Sequence, residues 1–177
     1  HLYARSRAGN AETAFIDAIS QVRGAFSFVA MTKDRLIGVR DPHGFRPLAI
    51  GKLDKPGGGH AYVICSETCA MDLIGATYVR DVEPGEVVVV TAHELKSIKP
   101  FAPAKASQCI FEHVYFSRPD SYVFGESVNE IRTEFGRRLA RESAVDVDVV
   151  VPIPGARLPV AARTAAEASA IQLSAEE

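Results

Sequence analysis

Between residues 40 and 48 the chain runs Arg40-Asp41-Pro42-His43-Gly44-Phe45-Arg46-Pro47-Leu48, an order that leaves the backbone few choices. Pro42 holds its own φ near about −65° and lacks an N–H, so no central strand or helix can pass through it. Gly44 admits the positive φ that a tight turn needs, and the Asp41 carboxylate can accept hydrogen bonds from the turn's N–H groups. The segment is therefore a corner. Strand-like runs at 35–40 and 48–51 lie on either side, with Arg40 and Arg46 flanking the turn itself. Taken alone, it is a hairpin corner.

The rest of the chain supplies layers for that corner to join. Ala14, Phe15, Ala18, Ile19 and Val22 recur at helical spacing, which predicts an amphipathic helix over 11–22, ended by Gly24. Strands are expected at 25–32, 35–40, 48–51, 61–65, 86–91 and 95–98, separated by turn residues and by the glycine-rich loop 55–59. Ser66 is placed to cap a short helix over 67–74. These hundred residues make an α+β layer arrangement. A Pro- and Ala-rich linker at 100–106 comes next, then an apolar, aromatic stretch at 109–117. Ser127-Val128-Asn129-Glu130 has the form of a capping box, and Val128, Ile131, Phe135 and Leu139 give one face of a helix reaching Glu142. An apolar strand at 148–152, a proline-broken turn and a helix from about residue 159 then open a parallel α/β domain. These elements set domain limits of 1–106 and 107–177.

Composition narrows the partners. A formal net charge of −2 over 177 residues lacks the basic excess of nucleic-acid binding. No apolar run approaches the roughly 20 residues needed to span a bilayer. Three cysteines suit reduced thiols in a cytoplasmic setting better than a disulfide framework. His1, His43, His60, His93 and His113 show no metal-ligand spacing and are assigned to the surface or to turns.

The corner, together with Ser66-Glu67 after the next strand, resembles the glutaminase domains of amidotransferases that use an N-terminal nucleophile. A second segment narrows the resemblance. Cys109-Ile110-Phe111-Glu112-His113-Val114-Tyr115-Phe116-Ser117-Arg118-Pro119-Asp120-Ser121 is similar to the junction segment of glutamine phosphoribosylpyrophosphate amidotransferases, in which Phe-Glu-x-x-Tyr-Phe-x-Arg-Pro-Asp-Ser recurs. The matches run from about residue 24 to residue 154, so the chain resembles an internal fragment of an amidophosphoribosyltransferase. The resemblance implies a partial αββα-type glutaminase layer over 1–106, joined from 107 to the first elements of an α/β phosphoribosyltransferase domain. It implies the first step of purine nucleotide synthesis: ammonia from glutamine displaces pyrophosphate from phosphoribosyl pyrophosphate, giving 5-phosphoribosylamine. The implied partners are those two substrates and further copies of the chain in a homo-oligomer, with no nucleic acid and no membrane.

By the same resemblance, Arg40, Asp41, Gly44, Arg46, Ser66 and Glu67 carry the glutaminase signature. Tyr115, Phe116 and Arg118 lie at the ammonia passage or domain interface. Apolar walls would keep ammonia unprotonated and away from water; simple interface packing by Phe111, Tyr115 and Phe116 is the competing reading. Family members start their mature chain with a catalytic cysteine, whereas His1 stands first here and Cys65 and Cys69 read as packing residues. No catalytic residue is expected within 1–177, and the 177 residues alone are expected to be inactive. Where many members have Pro-Asp-Ser-Gly, this chain has Pro154-Gly155-Ala156-Arg157, without the serine associated with the Mg2+–diphosphate site, and the acidic phosphoribosyl loop would follow Glu177. Cys109 is the candidate ligand for a [4Fe–4S] cluster found in a subset of the family. Neither cofactor is expected to bind these residues tightly by themselves.

Two alternatives remain at this level. Asparagine synthetases and sugar-phosphate aminating enzymes share the Arg-Asp…Pro-Leu corner but lack the junction segment. A non-catalytic module derived from a related amidotransferase would keep the layers without the chemistry. Open strand edges and uncovered apolar faces are expected to make the chain poorly stable in isolation.

Overall fold

The computed structural model describes residues 1–145. It forms two compact units, residues 1–109 and residues from 110 onward. The first opens with a short helix α1 (Leu2–Arg5) and helix α2 (Ala11–Ser20), whose N-cap Asn10 accepts the Thr13 N–H at 2.9 Å. Seven strands come after them: β1 (Ser27–Met31), β2 (Leu36–Arg40), β3 (Ala49–Asp54), β4 (His60–Cys65), β5 (Thr77–Asp81), β6 (Val87–Val90) and β7 (Leu95–Ile98). Helix α3 (Thr68–Ile74) lies between β4 and β5 and ends on Gly75 in the left-handed region.

The strands make two antiparallel sheets, ordered β1-β2-β6-β7 and β4-β3-β5. Alternation along each strand decides the layering, because successive side chains point to opposite faces. Ile37 and Val39 on β2, with Val87 and Val89 on β6, pack against Phe15, Ile16 and Ile19 of α2. The intervening Val88 turns the other way and meets Ile50, Tyr62 and Ile64 of the second sheet, with Leu48 and Val82 just beyond its strands. That sheet's outer face, through Ala49, Leu53, Val63 and Cys65, packs on Met71 of α3. The order is helix, sheet, sheet, helix. Gly38 sits where the sheets come closest: a Cβ there would lie 2.9 Å from Val88 Cγ2 and 3.0 Å from Ile64 Cδ1.

The expected strands at 25–32, 35–40, 48–51, 61–65, 86–91 and 95–98 all form, with ends shifted by a few residues. Strand β5 lay outside the expectation. It is an edge strand with a bulge opposite Ile50/Gly51, and exposed Tyr78 and Val79 give it no alternating burial to read. Ser66 does not cap α3; the chain turns one residue later, Glu67 holds the N-cap position, and no side chain bonds there.

The second unit begins with a π-helical turn, Glu112–Phe116. A two-residue hairpin comes next, β8 (Tyr122–Val123) with β9 (Glu126–Ser127). Its turn residues Phe124 and Gly125 both have positive φ, 56° and 83°, as the twist of a tight hairpin demands. Helix α4 (Val128–Glu142) starts on Ser127, whose hydroxyl accepts the Glu130 N–H. The expected face is corrected. Val128, Arg132, Gly136 and Ala140 are the buried residues, whereas Leu139 is 49% exposed. The buried stripe runs at four-residue spacing through Arg132, whose guanidinium is drawn inward by the His113 and Ser117 carbonyls. The strand expected at 148–152, the helix from 159 and Pro154-Gly155-Ala156-Arg157 lie outside the described residues.

Strand β1 leaves an open edge carrying exposed Phe28, Val29 and Met31, the last 82% exposed. Such an edge templates association. Met31→Lys should suppress self-association in light scattering while changing stability by no more than about 0.5 kcal/mol. Ile50→Ala, inside the sheet–sheet core, should cost about 2–5 kcal/mol by urea denaturation.

Candidate functional site

The corner is built around two buried charges on adjacent residues. Arg40 is 2% exposed and Asp41 0%. Arg40 donates from Nε to Arg46 O, from Nη1 to Val82 O and from Nη2 to Gly44 O, each at 2.8 Å. Asp41 Oδ1 accepts the His43 N–H at 2.9 Å, and Oδ2 accepts those of Phe45 at 3.1 Å and Phe26 at 3.3 Å. The Asp41 carbonyl accepts from Gly44 and Gly85, both at 2.9 Å. Burial holds the Arg40 guanidinium below its ordinary value, against the opposing pull of Asp81 and Asp41. Gly44, at φ 59°, brings its Cα so close that an added Cβ would stand 2.7 Å from Pro84 Cγ and 3.1 Å from Arg40 Nη2.

Four of the six signature residues, Arg40, Asp41, Gly44 and Arg46, thus gather in one corner. The other two lie near by register: Ala49 pairs with Cys65, which puts Ser66 and Glu67 at the sheet end where the corner enters β3. Ser66 is exposed. The Cys65 thiol donates to Glu67 O at 3.1 Å, and Cys69 Sγ lies 3.8 Å from Glu67 Oε2. Burial pushes the Cys65 thiol up, the opposite of what a nucleophile requires.

The corner also holds the chain leaving the unit. Ser107 donates its N–H to His43 O at 2.8 Å and Cys109 to Phe45 O at 3.0 Å, while His43 Nδ1 lies 2.9 Å from Lys105 O. The segment expected to be a linker is held to the corner at its distal end.

A second buried charge escaped the sequence reading. Glu86 is 1% exposed and accepts from Arg80 Nη2 at 2.7 Å and Nη1 at 2.8 Å, from Ser97 Oγ at 2.6 Å and from the Glu83 N–H at 2.7 Å. Burial pushes its carboxyl up, but these donors together hold it below the ordinary carboxylate value. Glu86 immediately precedes the valine run of β6, and an acid at the start of so apolar a strand was the available signal.

In the second unit, Arg132 of α4 is 1% exposed. Its Nε donates to His113 O at 2.6 Å and its Nη2 to Ser117 O at 2.7 Å. Ser117 Oγ donates to buried Glu112 at 2.8 Å. Phe111, Tyr115 and Phe116 are more than half exposed, and the centre of the Phe116 ring lies 6.1 Å from that of Phe111 and 6.0 Å from that of Tyr115. Arg118 is exposed and makes a two-pronged ion pair with Asp120, at 3.0 and 2.8 Å.

Neither expected cofactor finds a complete site here. Among the described residues, no three His, Cys, Asp or Glu side chains converge as metal ligands. A [4Fe–4S] cluster takes four thiolates, and the chain has three cysteines, with Cys65 and Cys69 engaged around Glu67. Cys109 is half-buried with its N–H on the corner. Among the described residues, no helix is long and apolar enough to cross a membrane.

An αββα stack turned about an Arg-Asp corner defines a glutamine-amidotransferase layer of the N-terminal-nucleophile type. Two solved structures carry that class further. The glutamine phosphoribosylpyrophosphate amidotransferase from B. subtilis, complexed with ADP and GMP, superposes with a TM-score of 0.89 at 40% identity, covering 96% of this chain and 36% of that one. A structure described as the allosteric regulatory enzyme of purine biosynthesis gives 0.88, also at 40% identity, covering 94% of this chain and 35% of that one. The chain is 49% identical over 167 residues to the amidophosphoribosyltransferase of Rhizobium etli, covering 91% of this chain and 32% of that protein. It is 49% identical to the chloroplastic amidophosphoribosyltransferase 2 of Arabidopsis thaliana, covering 95% of this chain and 29% of that protein. No protein-family model matches the chain. The chain is therefore homologous, over nearly its whole length, to a stretch of the amidophosphoribosyltransferases, and spans about a third of the length of the curated relatives it matches.

Arg40→Lys keeps the charge but cannot reach three carbonyls in three directions, and should cost about 2–4 kcal/mol in denaturant titrations. Because the folded-state value of Glu86 lies below its unfolded one, its contribution is complete above about pH 5 and lost as pH falls through the lowered value. Glu86→Gln should destabilise by about 1–3 kcal/mol at neutral pH, with the gap to the parent narrowing in acid melts.

Proposed function

We propose that this chain takes part in converting phosphoribosyl pyrophosphate and glutamine into 5-phosphoribosylamine. The observation that carries the proposal is the 49% identity to amidophosphoribosyltransferases over 91% of the chain. In this reading, residues 1–106 are the later part of a glutaminase domain, and residues 107–177 are the junction and opening of a phosphoribosyltransferase domain. Water cleaves the glutamine side-chain amide to glutamate and ammonia. The ammonia lone pair then attacks C1 of the ribose, and pyrophosphate leaves with the bonding electrons.

The chain's own residues contribute positioning. The corner at Arg40, Asp41, Gly44 and Arg46, with Ser66 and Glu67 at the same sheet end, forms a rigid floor on the glutaminase side. Tyr115 and Phe116 present exposed aromatic faces that suit an apolar route for ammonia, where un-ionised ammonia is favoured over ammonium. Arg118 flanks them with its charge held by Asp120. Mg2+ belongs to the complete reaction and the described residues offer no ligand set for it, so no step is assigned to it. Assembly as a homo-oligomer and a cytoplasmic setting with reduced thiols complete the proposal.

A chimera tests it. The chain replaces its matching stretch in the B. subtilis enzyme, and glutamine consumption is followed with and without phosphoribosyl pyrophosphate. Substrate-dependent turnover is expected, and a soluble, folded chimera without it would overturn the proposal. The 177 residues alone should release no ammonia from glutamine above the level of Cys→Ala variants. They should also give no tight, magnesium-dependent calorimetric isotherm with phosphoribosyl pyrophosphate.

A further inference from the structure

The turn carrying Tyr115 and Phe116 departs from α-helical bonding at a defined point. The Ser117 N–H reaches back five residues to Glu112 O at 3.0 Å. In an α-helical turn that N–H would serve His113 O, four residues back. The carbonyl of His113 is thereby released, and the extended backbone at Ser117, φ −76° and ψ 149°, turns its own carbonyl out of the helix. Both are the acceptors that Arg132 takes, at 2.6 and 2.7 Å. A guanidinium presents its donors in a fixed planar fork, so two bonds from one group set the spacing and orientation of both carbonyls. Glu112 and Ser117, bonded at 2.8 Å, close the same turn from the side-chain direction.

We infer that Arg132 is a positioning residue for the aromatic turn: it fixes the course of residues 112–117, and with it the directions in which Tyr115 and Phe116 project. The inference rests on the proposed reading that this turn borders the route of ammonia. Arg132 touches no substrate in this role. It acts through the backbone, and its helix supplies the rigidity, since Val128, Gly136 and Ala140 are buried along the same stripe. A π-helical turn is held less well by its own bonds than an α-helical one and recurs at functional sites. An external clamp gives such a turn one geometry.

Two measurements test this. The first is amide hydrogen exchange on the 177-residue chain, comparing the parent with Arg132→Met and Arg132→Lys. Exchange at residues 114–117 should quicken about tenfold in Arg132→Met, with β2 and β6 unchanged and Arg132→Lys intermediate. Unaltered protection of the turn would overturn the inference. The second uses the chimeric enzyme and compares synthesis from glutamine with synthesis from added ammonium chloride. In Arg132→Met, glutamine-dependent synthesis should fall about tenfold relative to ammonia-dependent synthesis while glutamine hydrolysis continues, and Arg132→Lys should recover part of the loss. Parallel loss of both syntheses would reduce Arg132 to a stability residue and sink the inference. A parent chimera without activity would count against the proposed function instead, leaving the exchange data to decide whether Arg132 fixes the turn.

Discussion

The Arg40 guanidinium is the point on which the first unit turns. Its three donors end on carbonyls from Gly44, Arg46 and Val82, which belong to the corner between the sheets and to the chain passing from β5 toward β6. One planar cation therefore fixes the exit from the first sheet, the entry to the second and the return path. Asp41 repeats the arrangement with the opposite polarity, gathering three N–H groups where Arg40 gathers three carbonyls. A buried charge is tolerated when its donors or acceptors are all used, and here the backbone itself supplies the partners. The buried faces of the layers on either side set the strand register; the corner fixes how the chain passes from one sheet to the other.

Arg132 solves a similar problem in the second unit with the same chemistry. In both places irregular backbone leaves carbonyls that no ladder or helix claims, and a guanidinium collects them. Glu86 is the acidic counterpart, collecting two prongs of Arg80, the Ser97 hydroxyl and the Glu83 N–H. Loss of one such group strands several polar atoms at once, so these positions are sensitive to substitution. The Arg40-Asp41 corner is in this light first a structural device, which holds the passage between the two sheets in one shape.

Elements governed by neighbouring residues were legible in the sequence. Asp41-Pro42-His43-Gly44 announced its turn through local φ preferences, the valines of β6 through their run, and α4 through Ser127 and Glu130. Elements governed by distant partners were not. Strand β5 is solvent-facing over its first three residues, so no alternation marks it. The buried stripe of α4 runs through Arg132, whose partners lie on another element, whereas hydrophobicity pointed to Leu139. Nothing local says that Arg132 will reach His113 O, nineteen residues away in sequence, or that an aromatic stretch will take five-residue bonding. The groups that hold these irregular segments in place became visible only in three dimensions.

The strap from Lys105 to Cys109 changes the expectation that the composition of that segment creates. Its N–H groups at Ser107 and Cys109 bond carbonyls two residues apart on the corner, at His43 and Phe45, so the chain there is paired much as a strand is. A protease must draw a substrate segment into an extended, unpaired form before it can cut. Beyond Phe101, which packs on the core, residues 102–104 are exposed, whereas the residues after Lys105 are held by that pairing. The corner that orders the sheets thus also shields the connection beyond it, and a nick in this region falls upstream of the strap, leaving Cys109 covalently continuous with Ile110 and the aromatic turn.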